Sequence, residues 1–126
     1  MIKKFIHQFA SPKTYLKQVD KAYSFIFFTS LSIYLIAIFW GLLLTPEDFV
    51  QGHSYRIIYL HVPASFISQS LYLGMAFASA IFLIWKVKLS AYLVRSIAPI
   101  GAMTTFIALV SGSIWGIPTW GTWWAW

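Results

Sequence analysis

Three long apolar stretches without Asp, Glu, Lys or Arg set the limits on how this chain can fold. The first, Ala22 to Leu44, would reach about 34 Å as a helix at 1.5 Å per residue, enough to cross a hydrocarbon core with some tilt. Pro46 ends it, and Glu47, Asp48, Gly52 and His53 make a short polar loop. The second stretch, Ile57 to Trp85, is longer than one crossing needs, and Pro63 divides it. Proline suits the first turn of a helix and pushes the residue before it towards an extended conformation, so the second span is expected over 63–85, with Tyr55 to Val62 as a short separate turn or the top of a kinked helix. The third is expected over 97–115, with Ser96 as its cap, Pro99 in its first turn, and Gly116 and Pro118 as its stop. The fold class that follows is all-α: a polytopic membrane protein with three transmembrane helices. A hydrophobic content of 60% in 126 residues agrees, being more apolar surface than one soluble domain of this size could bury.

Charge placement gives the expected orientation. Residues 1–21 form a basic, amphipathic lead-in in which Lys3, Lys4, Lys13, Lys17 and Lys21 outweigh Asp20, and it suits an anionic membrane surface. Lys86, Lys88 and Arg95 mark a second basic loop, whereas the loop around Glu47 and Asp48 is acidic despite Arg56. Cytoplasmic loops are the lysine- and arginine-rich ones. The N terminus is therefore expected in the cytoplasm and the 45–62 region outside it. The net charge of +6 is accounted for by topology and gives no reason to expect a nucleic-acid partner. Ala98, Gly101, Thr105, Ala108 and Gly112 recur at helical spacing as a stripe of small residues suited to close helix packing.

The chain after Gly112 reads GSIWGIPTWGTWWAW, with Trp115, Trp120, Trp123, Trp124 and Trp126 within it. Continued as a helix, Trp120 to Trp126 would gather its four tryptophans on one arc, with Gly121, Thr122 and Ala125 opposite. Such a slab serves either as an anchor at the water–lipid boundary or as a stacking surface for a flat ligand. His61, at the outer end of the second span, lies in helical register with Ser65, Ser68 and Tyr72, near Gln69. A histidine at membrane depth is costly to bury and so a functional candidate, either as a hydrogen-bonded interface residue or as a ligand for haem iron. Arg56 either pins a helix end or pairs with Asp48, or else forks a carboxylate such as a porphyrin propionate. His7 and His53 read as solvated. Absence of cysteine excludes disulfides, thiolate metal sites and thioether attachment to this chain, and no catalytic triad or phosphate-cradling glycine loop is found.

Three segments carry a resemblance: SYRIIYLHVP (Ser54 to Pro63), APIGAMTTFIALVSGSIWG (Ala98 to Gly116) and PTWGTWWAW (Pro118 to Trp126). They resemble the haem exporter protein C family of the bacterial cytochrome c maturation system, densely from about Gly41 onward. The tryptophan signature is shared across haem-handling proteins of cytochrome c assembly, and SYRIIYLHVP is the segment that points to this family. The resemblance implies a periplasmic tryptophan-rich segment that binds haem b as a transported ligand, with two outer-face histidines as axial iron ligands. His61 matches the first histidine, and Trp115, Trp120, Trp123, Trp124 and Trp126 match the signature. It further implies a bacterial inner-membrane location and three kinds of partner: ABC-transporter subunits, a small membrane subunit and a periplasmic haem chaperone. In the family the signature runs on into an aspartate, further helices and a second histidine, so the sequence is expected to be an N-terminal piece of about half that fold. Binding and transfer are expected, with no enzymatic step. The rival readings are a haem lyase component of the same superfamily and a structural membrane anchor.

Overall fold

The computed structural model describes residues 12–124. Lys3, Lys4, His7 and Trp126 lie outside these residues. The chain is built from three long helices: α1 (Pro12–Phe39), α2 (Ile58–Trp85) and α3 (Lys88–Trp120). A π-helical turn, Trp40–Leu44, ends α1, and a 3-10 turn, His53–Ile57, leads into α2. Among the described residues an isolated bridge between Asp48 and Gly52 is the one β-type pairing. Three segments are long and apolar enough to cross a membrane: Ala22–Leu44, His53–Trp85 and Lys88–Trp120. The protein is thus an all-α, multi-pass membrane protein.

The first span matches its expected bounds, and α1 continues without a break through residues 12–21. Its end is set by Thr45, whose backbone N–H and hydroxyl both donate to the Trp40 carbonyl, at 3.0 and 3.2 Å. That bond spans five residues and defines the widened turn. Thr45 is itself extended (ψ 134°), as a residue before proline should be.

The other two spans begin earlier than expected, and the third also runs past its expected stop at Gly116 and Pro118, because none of three prolines breaks its helix. Pro63 lies inside α2, and Pro99 and Pro118 lie inside α3. Ser96 is no cap: it sits mid-helix and its hydroxyl donates to the Tyr92 carbonyl at 2.9 Å. An interior proline costs about 3 kcal/mol. A broken helix at membrane depth would leave several backbone groups without water, at several kcal/mol each, so continuation wins.

The expected loop 86–95 shrinks to Lys86 and Val87. Lys86 is left-handed (φ 55°), its N–H donates to Phe82 at 2.8 Å, and Ser90 N–H donates to Val87 at 3.1 Å to start α3. Lys88 and Arg95 therefore lie on the first turns of α3, where long basic side chains can reach the interface while their stems stay in apolar surroundings.

This tight turn makes α2 and α3 an antiparallel hairpin. Its seam is made of small residues: Ala64, Ser68 and Ala78 on α2 and Ser90, Gly101, Ala108 and Ser111 on α3 are all buried. Four members of the expected stripe lie along this seam, and Ala98 is exposed. Across it Ser68 and Thr105 share a hydroxyl–hydroxyl bond of 2.5 Å. Among the described residues no large side chain is fully buried, so what holds the pair is close backbone approach with polar cross-links. Bulky residues such as Phe25, Phe28, Phe66, Phe77 and Phe106 face outward. Helix α1 is largely exposed and meets α2 closely at Gly41, where a Cβ would lie 2.7 Å from the Tyr59 ring.

Candidate functional site

The hairpin brings His61 on α2 opposite Ala108, Ser111 and Gly112 on α3. His61 Nδ1 lies 2.9 Å from the Ala108 carbonyl oxygen and 3.3 Å from Ser111 Oγ. A carbonyl oxygen can only accept, so Nδ1 carries the hydrogen and Nε2 keeps its lone pair. Among the described residues the one hydrogen-bonding group at Nε2 is the Ser65 hydroxyl at 3.5 Å, the outer limit of a hydrogen bond. A ring held at Nδ1 by a backbone carbonyl with Nε2 weakly engaged is the usual arrangement of a metal-binding histidine. Gly112 makes the approach possible, because a Cβ there would lie 2.7 Å from His61 Cε1. Of the expected neighbours on α2, Ser65 stays close. Ser68 is committed to Thr105, while Gln69 and Tyr72 are exposed.

The tryptophans reach the same place by a different route from the one expected. The helix does not run from Trp120 to Trp126; it stops at Trp120, and Gly121 adopts a left-handed cap (φ 74°) with its N–H on the Ile117 carbonyl at 2.9 Å. The chain then folds back. A Cβ on Gly116 would lie 2.8 Å from the Thr122 carbonyl oxygen, so the returning backbone rests on α3 where a side chain is missing. Thr122 Oγ1 closes the bend by donating to the Trp124 carbonyl at 3.0 Å. Trp115, one turn below, packs its ring edge-on to His61, with centroids 5.9 Å apart.

The result is a cavity of about 520 Å³ lined by His61, Ala108, Leu109, Gly112, Ser113, Trp115, Trp120, Trp123 and Trp124. That volume is in the range of small-molecule sites, about 300–1,000 Å³. Its walls are indole and aliphatic carbon, and the imidazole is the strong ligand-forming group among them. Such a lining suits a large flat apolar molecule with a metal at its centre.

Arg56 is not in the lining. Its Nε donates to the Thr45 carbonyl at 3.0 Å and its Nη1 to the Leu42 carbonyl at 3.4 Å, pinning the end of α1. Asp48 does not pair with it: its Oδ1 accepts the N–H groups of Val50 and Gln51 at 2.9 and 2.8 Å. His53 forms an ion pair with Glu47 at 2.8 Å when protonated. A residue without any sequence signal joins the site as well: Gln51 Oε1 accepts the Trp115 indole N–H at 2.8 Å. Among the described residues there is no cluster of three or more His, Asp or Glu that would hold a bare metal ion.

A multi-pass membrane protein with a histidine- and tryptophan-lined cavity at one end of a helical hairpin is the class these features define. Residues 5–126 match the family model described as Heme exporter protein C. The chain is 45% identical over 123 residues to Heme exporter protein C of Escherichia coli strain K12, and 41% identical over 123 residues to that of Haemophilus influenzae. It is 38% identical over 121 residues to the Paracoccus denitrificans protein of the same name. These alignments cover 96–98% of this chain and 50% of each relative, so the chain spans about half their length. The chain belongs to the Heme exporter protein C family.

Proposed function

We propose that this chain binds haem b at the outer end of the α2–α3 hairpin, on the periplasmic side of the bacterial inner membrane, and releases it to a periplasmic haem chaperone during cytochrome c maturation. The observation that carries this reading is the junction of a carbonyl-oriented His61 with Trp115, Trp120, Trp123 and Trp124 around one cavity. In it His61 Nε2 offers the iron its lone pair, and the indoles offer the porphyrin face flat apolar area. Trp126, outside the described residues, belongs to the same tryptophan signature in the sequence. Arg56 stands at the same end of the hairpin; with Nε and Nη1 on the carbonyls of Thr45 and Leu42, its Nη2 is the nitrogen left to meet an outer carboxylate such as a propionate.

The chain performs no bond-making in this scheme. Trp120 and Trp123 are 71% and 62% exposed, which leaves an open side through which a bound ligand can leave. The periplasmic assignment rests on Lys86, Lys88 and Arg95 gathering at the end of the hairpin remote from Glu47 and Asp48. ABC-transporter subunits and a small membrane subunit are the partners this reading carries over from the family.

The test is His61→Ala in the detergent-purified protein. The substitution should shift the haem absorption band and speed haem loss while membrane insertion stays intact. An unchanged spectrum would remove His61 as an iron ligand, and wild-type protein without any haem band would favour a structural anchor.

A further inference from the structure

We propose that Gln51 is a positioning residue for the cavity: its side-chain carbonyl fixes the rotation of the Trp115 indole, and the loop thereby sets the angle of the ring that abuts His61. This rests on the haem reading above and adds a residue to it. An indole N–H can only donate, so the 2.8 Å contact orients the Gln51 amide with its oxygen towards Trp115. Gln51 is itself held by its own N–H on Asp48 Oδ1 at 2.8 Å, and its carbonyl accepts from Ser54 Oγ at 2.5 Å. The loop cannot drift from this position, because Asp48 and Gly52 pair backbone to backbone at 2.9 and 3.3 Å. Gly52, at φ 56° and ψ −136°, takes a conformation that side-chain-bearing residues avoid. Trp115 in turn has its ring 5.9 Å from the imidazole at an interplanar angle of 64°. Without the acceptor the indole would have a polar N–H unpaired beside an apolar wall and a χ2 rotation to relieve it, and the ring would leave the edge-on position.

Three variants in the full-length protein test this. Gln51→Leu removes the acceptor at similar bulk, Gln51→Glu keeps a carbonyl-type oxygen at the same reach, and Trp115→Phe removes the donor. With 15N-labelled tryptophan, the indole N–H signal that disappears in Trp115→Phe belongs to this contact. That signal should shift in haem-free Gln51→Leu and stay near its place in Gln51→Glu. Haem loss from Gln51→Leu should be about fivefold faster than wild type, as one hydrogen bond implies. Gln51→Glu should restore most of it, and adding Gln51→Leu to Trp115→Phe should change nothing further. An unmoved indole signal in Gln51→Leu would overturn the contact. A moved signal with wild-type haem retention would overturn the positioning role alone. Wild-type protein that holds no haem would overturn the haem reading and this proposal together.

Discussion

Replacing Gly112 with alanine is the most economical way to disturb the site, since it adds one methyl group. That methyl would lie 2.7 Å from His61 Cε1 and 3.1 Å from Nδ1, closer than carbon atoms approach without something moving. The ring must move, and in moving it stretches the 2.9 Å bond to the Ala108 carbonyl that fixes its tautomer. Overpacking costs about 1–3 kcal/mol, and a lost hydrogen bond adds about 1 kcal/mol. Each 1.4 kcal/mol is about tenfold in affinity, so haem retention should fall by about 30- to 700-fold if the whole cost falls on the site. Gly101→Ala is the internal control. It lies on the same helix and seam, but its methyl would meet Met75 Cε at 3.7 Å and Leu71 Cβ at 3.9 Å, ordinary contact distances. Alanine is also the better helix former by about 1 kcal/mol, so that variant should be neutral or slightly more heat-stable. The assay is the haem absorption spectrum and its decay against apo-myoglobin, beside a thermal unfolding scan in detergent. Equal haem retention in the two variants would refute the close approach of Gly112 to His61.

Gly116→Ala should lift the returning chain off α3, because its methyl would lie 2.8 Å from the Thr122 backbone oxygen, which cannot rotate away as a side chain can; Trp123 and Trp124 should become more accessible to fluorescence quenchers, and unchanged quenching would argue against the fold-back. For orientation, a periplasm-active reporter fused after Gly52 should be active and one fused after Val87 inactive; the reverse pattern would invert the proposed topology.

The spans were legible in the sequence because charge-free apolar runs have no other stable home, and the first also in its bounds, whereas the ends of the second and third were not. Pro63 and Pro99 read as first-turn prolines, yet each has helix on both sides. The rule that places proline at a helix start presumes water to satisfy the backbone groups that a break would free. A bilayer provides none, so the balance tips towards a continuous helix. The basic residues after Trp85 did not make a loop of their own, because a two-residue reversal at Lys86 and Val87 suffices and Lys88 and Arg95 stay helical.

The site divides in the same way between side chains that announce themselves and contacts that do not. His61 and the tryptophans were visible as residue types, and Ala108 and Gly112 as members of the small-residue stripe. What fixes the orientation of the His61 ring is the Ala108 carbonyl, and a backbone oxygen leaves no trace in a sequence. The tryptophan arc failed as a helix because a single residue, Gly121, takes the left-handed cap that glycine adopts at little cost. That failure improves the site: a straight helix would have carried Trp123 and Trp124 outward along its own axis, while the reversal at Gly121 brings them back over Gly116 and into the wall of the cavity facing His61. Glycine at 112 and 116 therefore serves ring approach and chain return respectively, and the seam's small residues do more than let two helices touch. They leave the room in which an imidazole and a ring of indoles can converge.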